Sequence, residues 1–103
     1  MRTKPLLSFV IPAKNEQESV ETLYREISAV VKKLGNPFEI IFVDDGSTDG
    51  TFEKLKNLHK KYKRIRVIRL RGNFGKSIAL QSGFDYAKGD IVFTLDADLQ
   101  DNP

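Results

Sequence analysis

Short apolar runs alternate along the chain with longer stretches in which apolar residues recur every three or four positions. Leu6-Leu7-Ser8-Phe9-Val10-Ile11 reads as a strand stopped by Pro12, which has no N–H to give a ladder. Val20, Leu23, Ile27, Val30, Val31 and Leu34 then mark one face of a helix ending at Gly35. Asn15, with Glu18 three residues on, predicts a capping box ahead of it. Phe38 to Val43 is a second apolar run, and Phe52, Leu55, Leu58 and Tyr62 form a second helical stripe, with Ser47, Thr48 or Asp49 available as its cap. Ile65 to Leu70 intersperses arginines among Ile65, Val67 and Ile68, as an edge strand does. Gly75 to Lys88 predicts a third helix closed by Gly89, and Asp90 to Leu95 a fourth strand, apolar enough to be buried.

The resulting β-α-β-α-β-α-β order demands right-handed crossovers and a mostly parallel sheet with helices on both faces. It predicts an α/β, Rossmann-like, three-layer half-domain with strand order 3-2-1-4 and a ligand crevice at the C-terminal ends of the strands. A length of 103 residues suits one small domain. No linker, repeat or low-complexity tract interrupts it.

Composition removes several kinds of chemistry. Without cysteine there is neither a disulfide nor a thiolate metal site. The lone histidine, His59, lies in a lysine-rich helical stretch, which argues against histidine-bound zinc and a serine–histidine pair. No run approaches the roughly 20 apolar residues that cross a bilayer, so a cytoplasmic location is expected. The net charge of +3 conceals an asymmetry: ten basic residues and no acidic one lie between Lys54 and Phe84. A solvated face explains them, and so does attraction to an anionic partner. Nucleic acid is not the partner expected, because no aromatic stacking platform is interleaved with the charges.

The candidate chemistry follows the strands. Pro12-Ala13-Lys14-Asn15-Glu16 comes after the first, Asp44-Asp45-Gly46-Ser47-Thr48-Asp49-Gly50 after the second, Arg71-Gly72-Asn73-Phe74-Gly75-Lys76 after the third, and Asp96-Ala97-Asp98-Leu99-Gln100 after the fourth. Any one of these is ordinary turn chemistry, but all four converge on one rim. Asp96 and Asp98 repel each other in a crevice unless a cation or protons intervene. With oxygen donors only, the ion expected is Mg²⁺ or Mn²⁺, which binds through one or two carboxylates plus substrate phosphates. Strand-end acids that merely cap a loop are the plainer alternative. Asp44 and Asp45 suit either a helix cap or a base and ribose contact, and Asp49 suits the cap. Lys14, Arg71 and Lys76 bring positive charge to the rim.

Two motifs fail on inspection. Asp45 to Gly50 imitates the start of a calcium-binding EF-hand, but the twelfth position is Lys56 and a strand precedes the loop. Gly75-Lys76-Ser77 imitates a nucleotide-hydrolase phosphate loop, yet its first glycine falls at Leu70.

Taken together, Val10-Ile11-Pro12-Ala13-Lys14-Asn15-Glu16, Val43 to Thr51, Asn73-Phe74-Gly75-Lys76 and Asp96-Ala97-Asp98-Leu99-Gln100-Asp101 resemble family 2 glycosyltransferases of GT-A fold. Dolichyl-phosphate mannose synthases and bacterial polyprenyl-phosphate glycosyltransferases are the most similar groups. The resemblance implies that Pro12, Ala13, Lys14 and Glu16 line a nucleotide pocket, with Lys14 where the mannose synthases often carry tyrosine. It implies that Val43 and Asp45 contact base and ribose with Asp44 beside them, and that the loop with Gly72, Asn73, Gly75 and Lys76 borders the nucleotide. Asp96 and Ala97 approach ribose and diphosphate, while Asp98, assisted by Gln100 and Asp96, holds Mg²⁺ or Mn²⁺.

The implied reaction is inverting transfer of a sugar from a UDP- or GDP-linked donor to a polyprenyl phosphate or glycan. Family members continue for roughly another hundred residues, so residues 1–103 are expected to be the N-terminal, donor-binding part of a GT-A domain, broken off after the Asp-X-Asp motif. No catalytic residue is expected within the chain: a general base, where the reaction uses one, is expected beyond Pro103, together with the acceptor determinants. Little turnover is expected from residues 1–103 alone. A stand-alone nucleotide-binding module is the alternative. The open edge of the fourth strand is a candidate for self-association.

Overall fold

A computed structural model describes residues 4–97 of the chain. The elements are β1 (Leu7–Ala13), α1 (Val20–Leu34), β2 (Phe38–Asp44), α2 (Thr51–Lys61), β3 (Ile65–Arg69), α3 (Lys76–Tyr86) and β4 (Ile91–Thr94). All three strand pairings are parallel and the order is β3-β2-β1-β4, as the alternation predicts.

The pleat sorts the core into two layers. Leu7, Phe9 and Ile11 of β1 point to one face, where they meet α1 through Val20, Leu23 and Ile27 and α2 through Leu55 and Leu58. Val10, Ile41 and Val43 point to the other and meet Ala79 of α3. Every residue of β2 is buried, because it is flanked by strands and covered on both sides. Fully burying each Ile, Val or Phe in such a strand contributes about 1.5–3 kcal/mol.

Three local expectations are corrected. Pro12 does not stop β1, which runs on to Ala13 and pairs Pro12 with Val43. Leu95 N donates to the Val10 carbonyl on the β4 side, so residue 12, two positions on, also turns its nitrogen toward β4. β4 pairs with β1 only as far as Val10, so the missing N–H breaks no ladder bond. The Asn15–Glu18 capping box does not form: α1 starts at Val20, with Ser19 as a cap that makes no side-chain bond. β4 is exposed rather than buried, at 41–44% for Ile91, Val92 and Phe93, because among the described residues it is the outermost strand on its side.

At the opposite pole from the rim, Glu39 ties β2 to the turn before β4. Its carboxylate accepts from Ser8 Oγ at 2.6 Å, Lys88 N at 2.7 Å and Arg66 Nη1 at 2.9 Å. Burial raises the Glu39 pKa, but these bonds and the Arg66 charge outweigh it and hold the carboxyl below its ordinary value of 4.5.

Candidate donor-binding site

The four rim segments do meet, and they are bonded to one another. Asn15 adopts a left-handed φ of 55°, a conformation asparagine tolerates better than most residues. That turn points Oδ1 at the second loop, where it accepts from Thr48 N at 2.9 Å and Asp49 N at 3.3 Å. Ser47 Oγ returns the contact by accepting from Asn15 N at 2.9 Å, and Thr51 Oγ1 accepts from Glu16 N at 2.9 Å. Asp49 caps the first turn of α2 through Thr51 N at 2.8 Å. Burial raises its pKa, but the bonds from Thr51 and the backbone together outweigh that effect and lower it.

Asp45 joins the second loop to the third. Its Oδ1 accepts from Phe74 N at 2.8 Å and its Oδ2 from Gly75 N at 3.1 Å, so the carboxylate caps the approach to α3. With the Asn73 amide turned to satisfy both neighbours, Nδ2 donates to Asp45 Oδ2 at 3.2 Å and Oδ1 accepts from Lys14 Nζ at 2.5 Å. Lys14, Asp45 and Asn73, one from each of three loops, thus form a continuous chain. The approach is tight: a Cβ at Gly46 would stand 2.8 Å from Asn73 N. Gly75, at φ 97° and ψ 163°, holds a conformation essentially reserved for glycine.

Inside this frame lies a cleft of about 330 Å³ lined by Pro12, Ala13, Lys14, Glu16, Asp45, Lys76, Asp96 and Ala97. All eight are among the residues singled out in the sequence. Two lysines face three carboxylates, and Lys76 Nζ donates to Asp96 Oδ1 at 2.6 Å across the opening.

The remaining candidates stand elsewhere. Gly72, Asn73 and Gly75 shape the third loop from behind Asp45 without lining the cleft. Val43 and Asp44 have no exposed surface; Asp44 Oδ1 accepts from Ser47 N at 3.0 Å, and Oδ2 lies 3.9 Å from Arg69 Nε. Asp98 and Gln100 fall outside the described residues, as does Pro103, beyond which a general base is expected. No group of three or more acidic or histidine side chains suited to a metal occurs among the described residues. Sequence reasoning missed the loop-tying role of Asn15. Its signal was residue type, since asparagine in a turn readily takes positive φ and bonds backbone N–H groups ahead of it.

Against known proteins, residues 8–103 match the model of glycosyl transferase family 2. The chain belongs to that family. Among family relatives, an undecaprenyl-phosphate 4-deoxy-4-formamido-L-arabinose transferase of Pectobacterium atrosepticum is 45% identical over 98 residues, covering 94% of this chain and 30% of the relative. The mannosyl-3-phosphoglycerate synthase of Rubrobacter xylanophilus superposes with a TM-score of 0.78 at 25% identity, over 96% of this chain and 32% of that one. The glucosyl-3-phosphoglycerate synthase of Mycobacterium tuberculosis, solved with Mn²⁺, UDP and glucosyl-3-phosphoglycerate, gives 0.72 at 31% identity over 91% and 34%. These structural neighbours are GT-A glycosyltransferases, and the parallel 3-2-1-4 sheet is the portion of that fold this chain shares. The family 2 chain spans about a third of the length of these relatives.

Proposed function

We propose that the cleft binds a nucleotide-diphosphate sugar, UDP- or GDP-linked, and that the chain is the donor- and metal-binding part of an inverting glycosyltransferase. The observation that carries this reading is the cleft itself. It opens at the C-terminal ends of the parallel strands and gathers Lys14, Lys76, Asp45 and Asp96 from four separate loops. Lys14 and Lys76 supply charge for a diphosphate, and Pro12, Ala13 and Glu16 form the wall against which the nucleoside rests. Val43 and Asp44 act from beneath, by fixing the loop that carries Asp45.

The donor set fits a hard divalent cation. It offers oxygen ligands without sulfur or imidazole, and Asp96 stands exposed at the mouth of the cleft. Asp98 and Gln100 are proposed to join Asp96 in holding Mg²⁺ or Mn²⁺, and the Mn²⁺ in the glucosyl-3-phosphoglycerate synthase supports a divalent ion. Once bound, such an ion neutralises charge on the departing diphosphate. The relative that uses undecaprenyl phosphate supports a polyprenyl-phosphate acceptor, and with it a cytoplasmic setting beside a membrane. None of the described helices is long and apolar enough to cross a membrane.

Calorimetric titration of the chain with UDP, UDP-sugars and GDP-mannose, with and without Mn²⁺, tests the reading. Weak, Mn²⁺-dependent binding is expected, with little or no sugar transfer to a lipid phosphate by these residues alone. Indifference to every nucleotide would remove the proposal, and robust transfer would overturn its second half.

A further inference from the structure

Lys14 and Glu16 both line the cleft, and Asn15 between them does not. Among the described residues Asn15 is the one non-glycine with a positive φ, at 55°. The β1–β2 ladder closes where Asp45 N donates to the Ala13 carbonyl at 3.0 Å. Past that bond the first and second rim segments are held together through side chains. Asn15 N donates to Ser47 Oγ, and Asn15 Oδ1 accepts from Thr48 N and Asp49 N. Glu16 N donates to Thr51 Oγ1, and Gln17 Oε1 accepts from Gly50 N at 3.1 Å.

Capping of α2 does not account for Asn15. Asp49 Oδ1 already accepts from Thr51 N at 2.8 Å, and the N–H groups that Asn15 takes lie ahead of the first helical residue. Thr48 and Asp49 are exposed, so water can replace the acceptor there at little cost. What the bonds hold is the backbone turn. Residue 15 sets the direction in which the chain leaves Lys14 and enters Glu16, and its φ of 55° needs a residue that tolerates the left-handed region. Asparagine meets both demands, the conformation and the acceptor.

We propose, on the donor-binding reading of the cleft, that Asn15 is a positioning residue: its left-handed turn, clamped to Thr48 and Asp49, fixes where Lys14 and Glu16 stand against the nucleotide diphosphate. The Asn15 side chain acts on affinity through these two neighbours, not by touching the ligand. Lys14 shows how little freedom is left. Its Nζ meets Asn73 Oδ1 at 2.5 Å, so one end of the side chain is held by the third loop and the other by the turn at residue 15. A binding group held in this way keeps its place before ligand arrives, and a shift of about 1 Å is enough to lose much of its effect. With Asn15 unclamped, the turn samples other φ and ψ values, and Lys14 and Glu16 no longer reach the cleft from fixed points.

Three variants separate the two demands. Asn15→Gly keeps positive φ accessible and removes the acceptor, Asn15→Ala removes the acceptor and penalises the conformation, and Asn15→Asp keeps both. In titrations with UDP and GDP in the presence of Mn²⁺, affinity is expected to fall about fivefold for Asn15→Gly, further for Asn15→Ala, and little for Asn15→Asp. Repeating the glycine substitution on Lys14→Met completes a cycle, and there it should cost about twofold or less. A residue that merely supports the fold would cost the same factor in both backgrounds. A second arm needs no ligand. Nitrogen-15 relaxation should show new motion at the Lys14 and Glu16 amides in Asn15→Gly, with the amides of α2 unchanged and order restored in Asn15→Asp. If the wild-type chain ignores both nucleotides, the donor-binding reading falls and the relaxation arm alone decides whether Asn15 fixes its neighbours. Unaltered order at Lys14 and Glu16 in Asn15→Gly overturns the proposal, and so do equal affinity losses with and without Lys14.

Discussion

Lys76 Nζ and Asp96 Oδ1 are 2.6 Å apart, so a cation and an acid of the same cleft neutralise each other across its opening. Both side chains are well exposed, at 62% and 65%, and solvent screens the pair. Its contribution to stability is at most about 1 kcal/mol. Lys76→Met should therefore leave the melting temperature nearly unchanged. It should weaken nucleotide-diphosphate binding severalfold and tighten Mn²⁺ binding measured without nucleotide. Movement of both affinities in one direction would contradict the pairing.

Asp96→Asn and Asp98→Asn are expected to abolish the Mn²⁺ dependence of nucleotide binding while leaving the thermal transition in place. The comparison to make is titration with and without Mn²⁺ on each variant. Salt-dependent binding to random DNA or RNA that survived both substitutions would point instead to the basic run from Lys60 to Arg71.

Asp45 ties structure as well as lining the candidate cleft, because both carboxylate oxygens are bonded to backbone of the third loop. Asp45→Ala leaves the Phe74 and Gly75 N–H groups without their acceptor. A loss of about 1.5–3 kcal/mol is expected in urea unfolding, in keeping with hydrogen bonds to a charged group. Nucleotide affinity should fall with it.

The two special glycines nearby should differ in degree. Gly75→Ala meets no atom within 4 Å and is penalised by φ alone, at about 1–3 kcal/mol. Gly46→Ala combines a φ of 77° with a collision against the Gly72–Asn73 backbone, and should cost more. Equal denaturation midpoints for the two variants would show that the loop contact yields easily.

Glu39 gives a pH signature far from the cleft. Its folded pKa lies below the ordinary 4.5, so as pH falls the unfolded chain takes up the proton first. The stabilisation is complete above 4.5 and fades as pH drops through the folded value. Glu39→Gln should lower stability at pH 7 by about 1–3 kcal/mol. Melting curves from pH 7 down to 3 should show the gap between wild type and variant narrowing toward the acid end.

Much of this arrangement was legible in the chain because it depends on periodicity. A two-residue alternation and a three-to-four-residue stripe are enough to order β3-β2-β1-β4 and bring four loops to one rim. The cleft was legible for the same reason, since Pro12, Ala13, Lys14, Asp45 and Asp96 all sit at or just past strand ends. What escaped depends on neighbours distant in sequence. Asn15 and Glu18 have the spacing of a capping box, but Asn15 is claimed by Thr48 and Asp49, more than thirty residues away. Ile91, Val92 and Phe93 have the composition of a buried strand, yet among the described residues β4 is the outermost strand on its side.

Pro12 bears on the cleft in a way that its place in β1 does not announce. The next rung of the β1–β4 ladder would run from the N–H of residue 12 to the carbonyl of Leu95, and proline has no hydrogen to place there. Among the described residues the last backbone bond between the two strands is Leu95 N to Val10 O. Ala13, Asp96 and Ala97 line the candidate cleft just past that bond. A residue with an N–H at position 12 would supply the donor for one further rung, one step closer to the candidate cleft.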